Sequence, residues 1–269
     1  MKKIFLIFIL SVLPVFSQIE IPKGANDCEF IKHTYFSLCY DEEHEQARWV
    51  AYILTKEMIV GESVYRKEYK PDKKVSTESA KDSDYLNSNF SRGHLAPAAD
   101  FKFSQLGIEE SYLYSNISPQ LQDGFNESGG VWNNLEQRVR EWVCKEDTVY
   151  IVTGPVLDNK LIKRKLPKIP DSKVSIPKEF FKAILVYSQK SVKAIAFVVP
   201  NSSSKDDIFK YSLSIDRLEK LIGYDLFSEL PDDIEKSIEI DFDTNAWHQN
   251  PRPYVRKKPS PPCTIKSNR

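Results

Sequence analysis

Apolar residues along the chain fall into separate short runs with no repeating unit. Ile4 to Val12 is an apolar stretch behind Lys2 and Lys3. The segment from His33 to Tyr40 is rich in aromatic and apolar residues and predicts a strand. Asp41 is placed to N-cap a following helix, with Glu42 and Glu43 favouring its dipole. From Glu45 to Met58 the apolar positions Trp49, Val50, Ile53 and Leu54 suit a strand or a helix. Arg66 to Asp84 is polar, has no periodicity and predicts a long surface loop. Ser104 to Glu110 predicts a short helix, and Tyr112 to Ser115 a strand leading into an Asn/Pro-rich loop. Val131, Leu135, Val139, Trp142 and Val143 recur at helical spacing and predict an amphipathic helix with that face buried. Thr148 to Thr153 predicts a strand stopped by Gly154-Pro155, and Phe180 to Tyr187 with Val192 to Val199 a hairpin ended by Pro200-Asn201. A helix follows within Ile208 to Gly223, with Gly223 as its C-cap.

Strands and helices mix without regular alternation, which favours an α+β fold over a doubly wound sheet. The N-terminal pattern has a positive start, an apolar middle, and small residues Val15 and Ser17 before Gln18. It reads as a signal peptide over residues 1–17, too short to span a membrane comfortably. Residues 18–249 then form one domain, and the Pro-rich, basic residues 250–269 an irregular tail. The mature chain is expected to be secreted or periplasmic, with no stable membrane association. Aromatic residues make up 12% of the chain, enough to expect a packed core. Its 38 basic and 38 acidic residues cancel, so a polyanion would have to be met by a local patch. Cys28, Cys39, Cys144 and Cys263 suit two disulfides in an exported chain, with all three pairings open. Their separation excludes a zinc site of the CxxC type.

The chemistry concentrates between Phe90 and Arg140. His94 lies in a predicted loop flanked by Gly93 and Pro97, and imidazole has the proton affinity for a general base near neutral pH. Alone, such a histidine is as often structural. Asn126, after Gly124, is by itself a turn residue; the alternative is a neutral oxygen ligand for Mg²⁺, which needs few protein ligands. Asn116 and Gln120 carry the same pair of readings, with loop hydrogen bonding as the ordinary one. Glu136 and Arg140 are one helical turn apart, with Trp132 on the same strip. The ordinary reading is a surface ion pair of little energetic weight.

These fragments together resemble the DNA/RNA non-specific endonuclease family. The carrying residues are Ser91-Arg92-Gly93-His94-Leu95-Ala96-Pro97-Ala98-Ala99-Asp100, Ser115 to Gln120, Gly124-Phe125-Asn126 and Trp132 to Glu136. Thr153-Gly154-Pro155, Phe180-Phe181-Lys182 and Ala196 to Asn201 resemble later blocks of the family. The resemblance implies a ββα-metal (His-Me finger) nuclease fold, a central antiparallel sheet flanked by helices. It implies His94 as general base, Asn126 as the direct protein ligand of Mg²⁺ (Mn²⁺ as a substitute), and Glu136 as a water-orienting carboxylate. Arg92 and Arg140 are implied at the phosphate, Asn116 near the histidine and, on a loose match, Arg66 at another phosphate. Two features depart from the family. Ser91 stands where many members have Asp, and Glu127-Ser128-Gly129-Gly130 lengthens the gap from Asn126 to Glu136. The two glycines give the extra residues a way to bulge out.

The resulting expectation is an exported, Mg²⁺-dependent endonuclease that cuts DNA and RNA with little sequence preference and leaves a 5′-phosphate. The alternative from another class is an inactive nuclease fold that holds nucleic acid or a partner protein. A hydrolase with another nucleophile ranks last, since the chain has neither a GxSxG elbow nor an HExxH helix. The basic tail (Arg252, Arg256, Lys257, Lys258) is either a further phosphate contact or a solvated terminus. Whether the chain forms a homodimer, as some family members do, stays open.

Overall fold

The computed structural model describes residues 18–24, 28–60, 68–157, 173–240 and 242–248, and the backbone of 162–165. The expected signal peptide, Arg66, Cys263 and the C-terminal tail lie outside the described residues.

The framework is an antiparallel sheet of seven strands in the order β1-β2-β3-β6-β9-β10-β11. These are β1 (Glu29–Lys32), β2 (Ser37–Asp41), β3 (Gln46–Thr55), β6 (Thr148–Pro155), β9 (Glu179–Tyr187), β10 (Val192–Pro200) and β11 (Ser212–Leu213). Strands β4 (Ser91–His94) and β5 (Ile117–Gln120) form a separate two-stranded ladder, as do β7 (Ile162–Lys165) and β8 (Ser175–Pro177). The helices are α1 (Asp82–Tyr85), α2 (Gln105–Ser111), α3 (Val131–Glu146), α4 (Ile215–Ile222) and α5 (Asp232–Ile240).

Side chains alternate across each strand, and here both faces of the sheet are covered. In β9, Phe180, Ile184 and Val186 point into the core that holds α3. Phe181, Ala183 and Leu185 point into a second core with Ile215 and Leu218 of α4 and Ile238 of α5. This is why the central strands read as almost unbroken apolar runs. Helix α3 buries all five residues of its predicted stripe, Val131, Leu135, Val139, Trp142 and Val143. Their burial contributes on the order of 10 kcal/mol before conformational entropy is subtracted.

Several local expectations change. His33 to Phe36 is the turn of the β1–β2 hairpin, closed by His33 N–H donating to Phe36 O at 2.8 Å, and is not part of one strand. The Asp41 carboxylate does cap, accepting from Glu43 N at 2.8 Å and His44 N at 3.1 Å. What it caps is the β2–β3 turn rather than a helix. The ambiguous stretch after it is strand β3. Gly154-Pro155 does not stop β6; both residues pair with β9, and Gly154 fits because its α-carbon lies against the Arg48 carbonyl. The long polar loop is not all surface. Asp72 is buried within it and accepts from Ser115 Oγ at 2.6 Å, with His33 Nε2 at 2.9 Å. Gly223 caps α4 in the left-handed conformation, as expected.

Cys28 and Cys39 are disulfide-bonded across the β1–β2 hairpin, and Cys144 on α3 is also disulfide-bonded. Among the described residues no helix is long and apolar enough to cross a membrane.

The turn that leads into α3 is sterically closed. A Cβ on Gly130 would lie 2.3 Å from the Phe125 carbonyl oxygen, a backbone atom that cannot swing aside. Gly130→Ala is therefore expected to cost about 2 kcal/mol, the scale of an overpacked site. Urea unfolding checks this: an unchanged midpoint would mean that the turn yields freely.

Candidate active site

His94 is the last residue of β4, in an antiparallel ladder with β5 in which it faces Ile117. The histidine and the Ser/Pro stretch were both expected in loops, and the two together form this short hairpin instead. Gly93 is required because a Cβ there would fall 2.2 Å from the Gln120 side chain, which packs beneath it. The segment after His94 is held by Asn116. Its Nδ2 donates to Ala96 O at 2.9 Å and Ser111 O at 2.8 Å, and its Oδ1 accepts from Ala96 N at 2.9 Å. Asn116 is fully buried, and its amide is committed to this brace rather than presented to a reactant.

The imidazole stands edge-on to the Tyr112 ring at 4.6 Å, with Tyr69 at 5.7 Å on another side. Its Nε2 is buried with no hydrogen-bond partner, which leaves Nδ1 as the nitrogen that faces outward. Burial disfavours the charged ring and pulls its pKa down to about 4. The neutral form, the one able to accept a proton, is therefore the form present at neutral pH.

Asn126 ends a tight coil, Gln122–Asn126, that follows β5. Ser91 Oγ donates to Gln122 Oε1 at 2.7 Å, so the serine braces this coil. Phe125 stacks on Trp132 of α3 with centroids 5.6 Å apart and 12° between planes, and Phe180 of the sheet packs against both rings. Asn201, at the end of β10, accepts from Leu121 N at 2.8 Å and donates to Pro119 O and Pro177 O, each at 3.0 Å. The extra residues between Asn126 and Glu136 form a closed turn. Gly130 N donates to Glu127 O at 2.8 Å, Gly129 takes φ +90°, and Glu127 Oε1 accepts from Gly124 N at 3.0 Å. The insertion is thereby absorbed, and Glu136 stands one turn after Trp132 on the buried side of α3.

Glu136 belongs to a buried polar cluster. Asp100 accepts from Arg140 Nη1 at 2.7 Å and from Tyr52 Oη at 2.9 Å. Lys182, on the sheet beneath, donates to Thr153 Oγ1 at 3.1 Å and lies over the Trp132 ring at 4.9 Å. Burial pushes the Glu136 carboxyl up, and Arg140 and Lys182 pull it back. The expected surface pair of Glu136 with Arg140 is replaced by a buried pair of Arg140 with Asp100. Arg92 is more open. Its Nε donates to Tyr114 Oη at 3.0 Å and its Nη2 to Asp82 Oδ1 at 2.6 Å, and a quarter of its side chain (24%) is exposed.

Asp100 and Lys182 received no role from the sequence, though both stand inside the family-like blocks. The available signal was a lysine at an inward position of an apolar strand, Phe180-Phe181-Lys182-Ala183-Ile184.

The donor set suits one hard cation. Among the described residues, Asn126 offers a half-buried carboxamide that makes no side-chain hydrogen bond, and Glu136 a carboxylate without an ion pair within 4 Å. One neutral oxygen fits Mg²⁺, which keeps most of its waters, better than an ion needing a full protein cage, and a carboxylate can accept from such waters without binding the ion. A three-carboxylate group among the described residues, Glu219, Asp225 and Glu239, lies on the opposite face of the sheet with α4 and α5.

Known proteins resemble this chain in sequence and fold. The nuclease EXOG, mitochondrial, of Danio rerio is 32% identical over 234 residues, spanning 82% of this chain and 66% of that protein. The mitochondrial endonuclease G of Caenorhabditis elegans is 32% identical over 246 residues, spanning 82% and 79%. A chain in a crystal structure of an EndoG/EndoGI complex superposes with a TM-score of 0.67 at 26% identity, covering 75% of this chain and 86% of that one. The sequence profile of one family matches residues 19–233, most of the length described above. With the β4–β5–α3 unit carrying the motif residues, the chain belongs to the DNA/RNA non-specific endonuclease family.

Proposed function

We propose that the chain is an exported, Mg²⁺-dependent endonuclease that hydrolyses phosphodiester bonds of DNA and RNA. The observation that carries this reading is a neutral histidine at the end of β4, on a hairpin tied by Ser91 to the coil of Asn126, with Glu136 one turn beyond the Trp132 on which that coil stacks. His94 takes the proton of the attacking water at Nδ1. Attack on phosphorus runs in line with the departing 3′-oxygen, and the product carries a 5′-phosphate. Glu136 orients water by accepting its hydrogen bond. Asn126 would hold the cation, and Mg²⁺ bound there would supply electrostatic stabilisation for charge growing on the phosphate. Arg92, braced by Tyr114 and Asp82, presents a guanidinium to a phosphate oxygen. Arg140 contributes its charge from within the Asp100 pair, and Asn116 keeps the segment after His94 in place. Contacts made to phosphates carry no base information, which accounts for low sequence preference. The disulfide across the first hairpin supports an oxidising destination.

Digestion of plasmid DNA and RNA by the chain from Gln18 onward tests this directly. Both substrates are expected to be cut with Mg²⁺ and to survive in EDTA. Intact substrates with folded protein that still shifts DNA on a gel would establish the inactive binding module.

Asn126→Ala is expected to raise the Mg²⁺ concentration for half-maximal cutting by at least about tenfold, the scale of a lost metal contact. An unchanged Mg²⁺ dependence would remove Asn126 from the metal site.

Stability gives an independent check on His94. Its native pKa of about 4 lies below the ordinary 6.5, so between those values the unfolded chain binds a proton that the native state refuses. Stability therefore falls as pH drops through that window. His94→Gln should flatten that part of the curve; an unaltered pH dependence of urea unfolding would mean that His94 is not held neutral.

A further inference from the structure

A general base needs one ring nitrogen aimed at the water, and a histidine usually obtains that aim from a hydrogen bond on its other nitrogen. His94 makes no such bond among the described residues. Its Nε2 is buried without a partner, so no hydrogen bond on that side fixes how the imidazole is turned. A ring free to flip would point Nδ1 away from the water part of the time. What touches it is aromatic. Tyr112 stands edge-on, with centroids 4.6 Å apart and 78° between planes, and Tyr69 lies at 5.7 Å and 47°. Tyr112 comes from the segment that leads into β5. Tyr69 comes from the long polar loop, to which the reaction gives no other task.

The Tyr69 ring is held there by backbone, hydroxyl and loop alike. The next residue, Lys70, donates its N–H to Tyr112 O at 3.2 Å and accepts at its carbonyl from Tyr114 N at 2.9 Å. That pairing sets the Tyr69 ring against Tyr112, with centroids 4.9 Å apart. Tyr69 Oη donates to the Arg92 carbonyl at 3.3 Å, and the Arg92 guanidinium lies over the ring at 5.6 Å. Two residues beyond Lys70 the loop is anchored by the buried Asp72. Its carboxylate meets Ser115 Oγ at 2.6 Å, His33 Nε2 at 2.9 Å and Lys74 N at 2.9 Å, and its own N–H donates to Ser79 Oγ at 2.7 Å. A buried carboxylate with this many partners fixes the loop far more firmly than a surface connection requires. We propose that Tyr69 is a positioning residue for His94: its ring, beside that of Tyr112, takes the place of the missing hydrogen bond and keeps Nδ1 turned outward. Tyr69 does not itself touch the substrate.

This inference rests on the nuclease reading for the use made of His94, but the cover over the imidazole is measurable without activity. The experiment compares the wild-type chain with Tyr69→Phe, which keeps the ring, and Tyr69→Ala, which removes it. NMR titration of His94 in EDTA comes first; the chain has four histidines, and His94→Gln assigns the signal. The wild type and Tyr69→Phe are expected to titrate at the same pH. Tyr69→Ala is expected to titrate at least about one pH unit higher, because water then reaches the ring. Cleavage with Mg²⁺ comes second. Tyr69→Ala is expected to lower kcat at least about tenfold with KM within about twofold, and Tyr69→Phe to leave both within about twofold. An unmoved His94 midpoint in Tyr69→Ala overturns the proposal, and so does wild-type kcat in that variant. A KM that rises as far as kcat falls would put the ring on the substrate, and equal losses in the two variants would assign the effect to the hydroxyl. Either result contradicts a positioning role for the ring, as does unfolding of Tyr69→Ala, which would make Tyr69 a residue of the core. A chain that cuts nothing would defeat the nuclease reading alone, and the titration would still decide whether Tyr69 covers His94.

Discussion

The geometry of the site depends on one aromatic contact. Phe125 stacks on Trp132, and both rest on Phe180 of the central sheet. The coil that carries Asn126, the helix that carries Glu136 and the strand that carries Lys182 are thus fixed to one another by three buried rings. Gly130 makes the approach possible, because its missing side chain lets the helix start directly against the Phe125 backbone. A rigid sheet beneath and a closed turn above leave the functional side chains little freedom, and a preorganised site of this kind needs little rearrangement in the reaction.

The electrostatics divide into two parts with opposite logic. Around His94 the neighbours are aromatic, and burial keeps the ring neutral and able to accept a proton. Around Glu136 they are charged, and two cations offset the cost of burying carboxylates. Burial thus acts on both groups, holding the imidazole neutral and raising the Glu136 carboxyl in spite of the two cations beside it. Neither environment belongs to one element. Tyr69 comes from the long polar loop, Asp100 from the turn after His94, Arg140 from α3 and Lys182 from β9.

Much of this was legible in the sequence, and the unread part has physical causes. The spacing of Val131, Leu135, Val139, Trp142 and Val143 specified α3 and its buried face, because a helical stripe is encoded locally. The α+β class and the β9–β10 hairpin were read from equally local patterns, whereas the central antiparallel sheet followed only from the family resemblance. The β4–β5 ladder was not, since Ser91 to His94 and Ile117 to Gln120 are short, polar and contain Gly and Pro, so only their pairing makes them strands. Asp41 caps a β-turn with the same chemistry that would cap a helix, and propensity does not separate the two. Glu136 and Arg140 looked like an exposed pair because spacing along a helix says nothing about what covers it. The commitment of Asn116 to Ala96 and Ser111, and the place of Lys182 below Trp132, depend on tertiary contacts that no short window contains.

The central claim is that His94 removes the proton from the attacking water. The most direct measurement is the single-turnover cleavage rate of a labelled DNA duplex by the wild-type chain and by His94→Ala, at saturating Mg²⁺ and with DNA binding measured in parallel. Loss of a general base predicts a rate lower by about 10²- to 10⁴-fold with binding unchanged. A variant that binds equally well and still cuts at the wild-type rate would contradict the account.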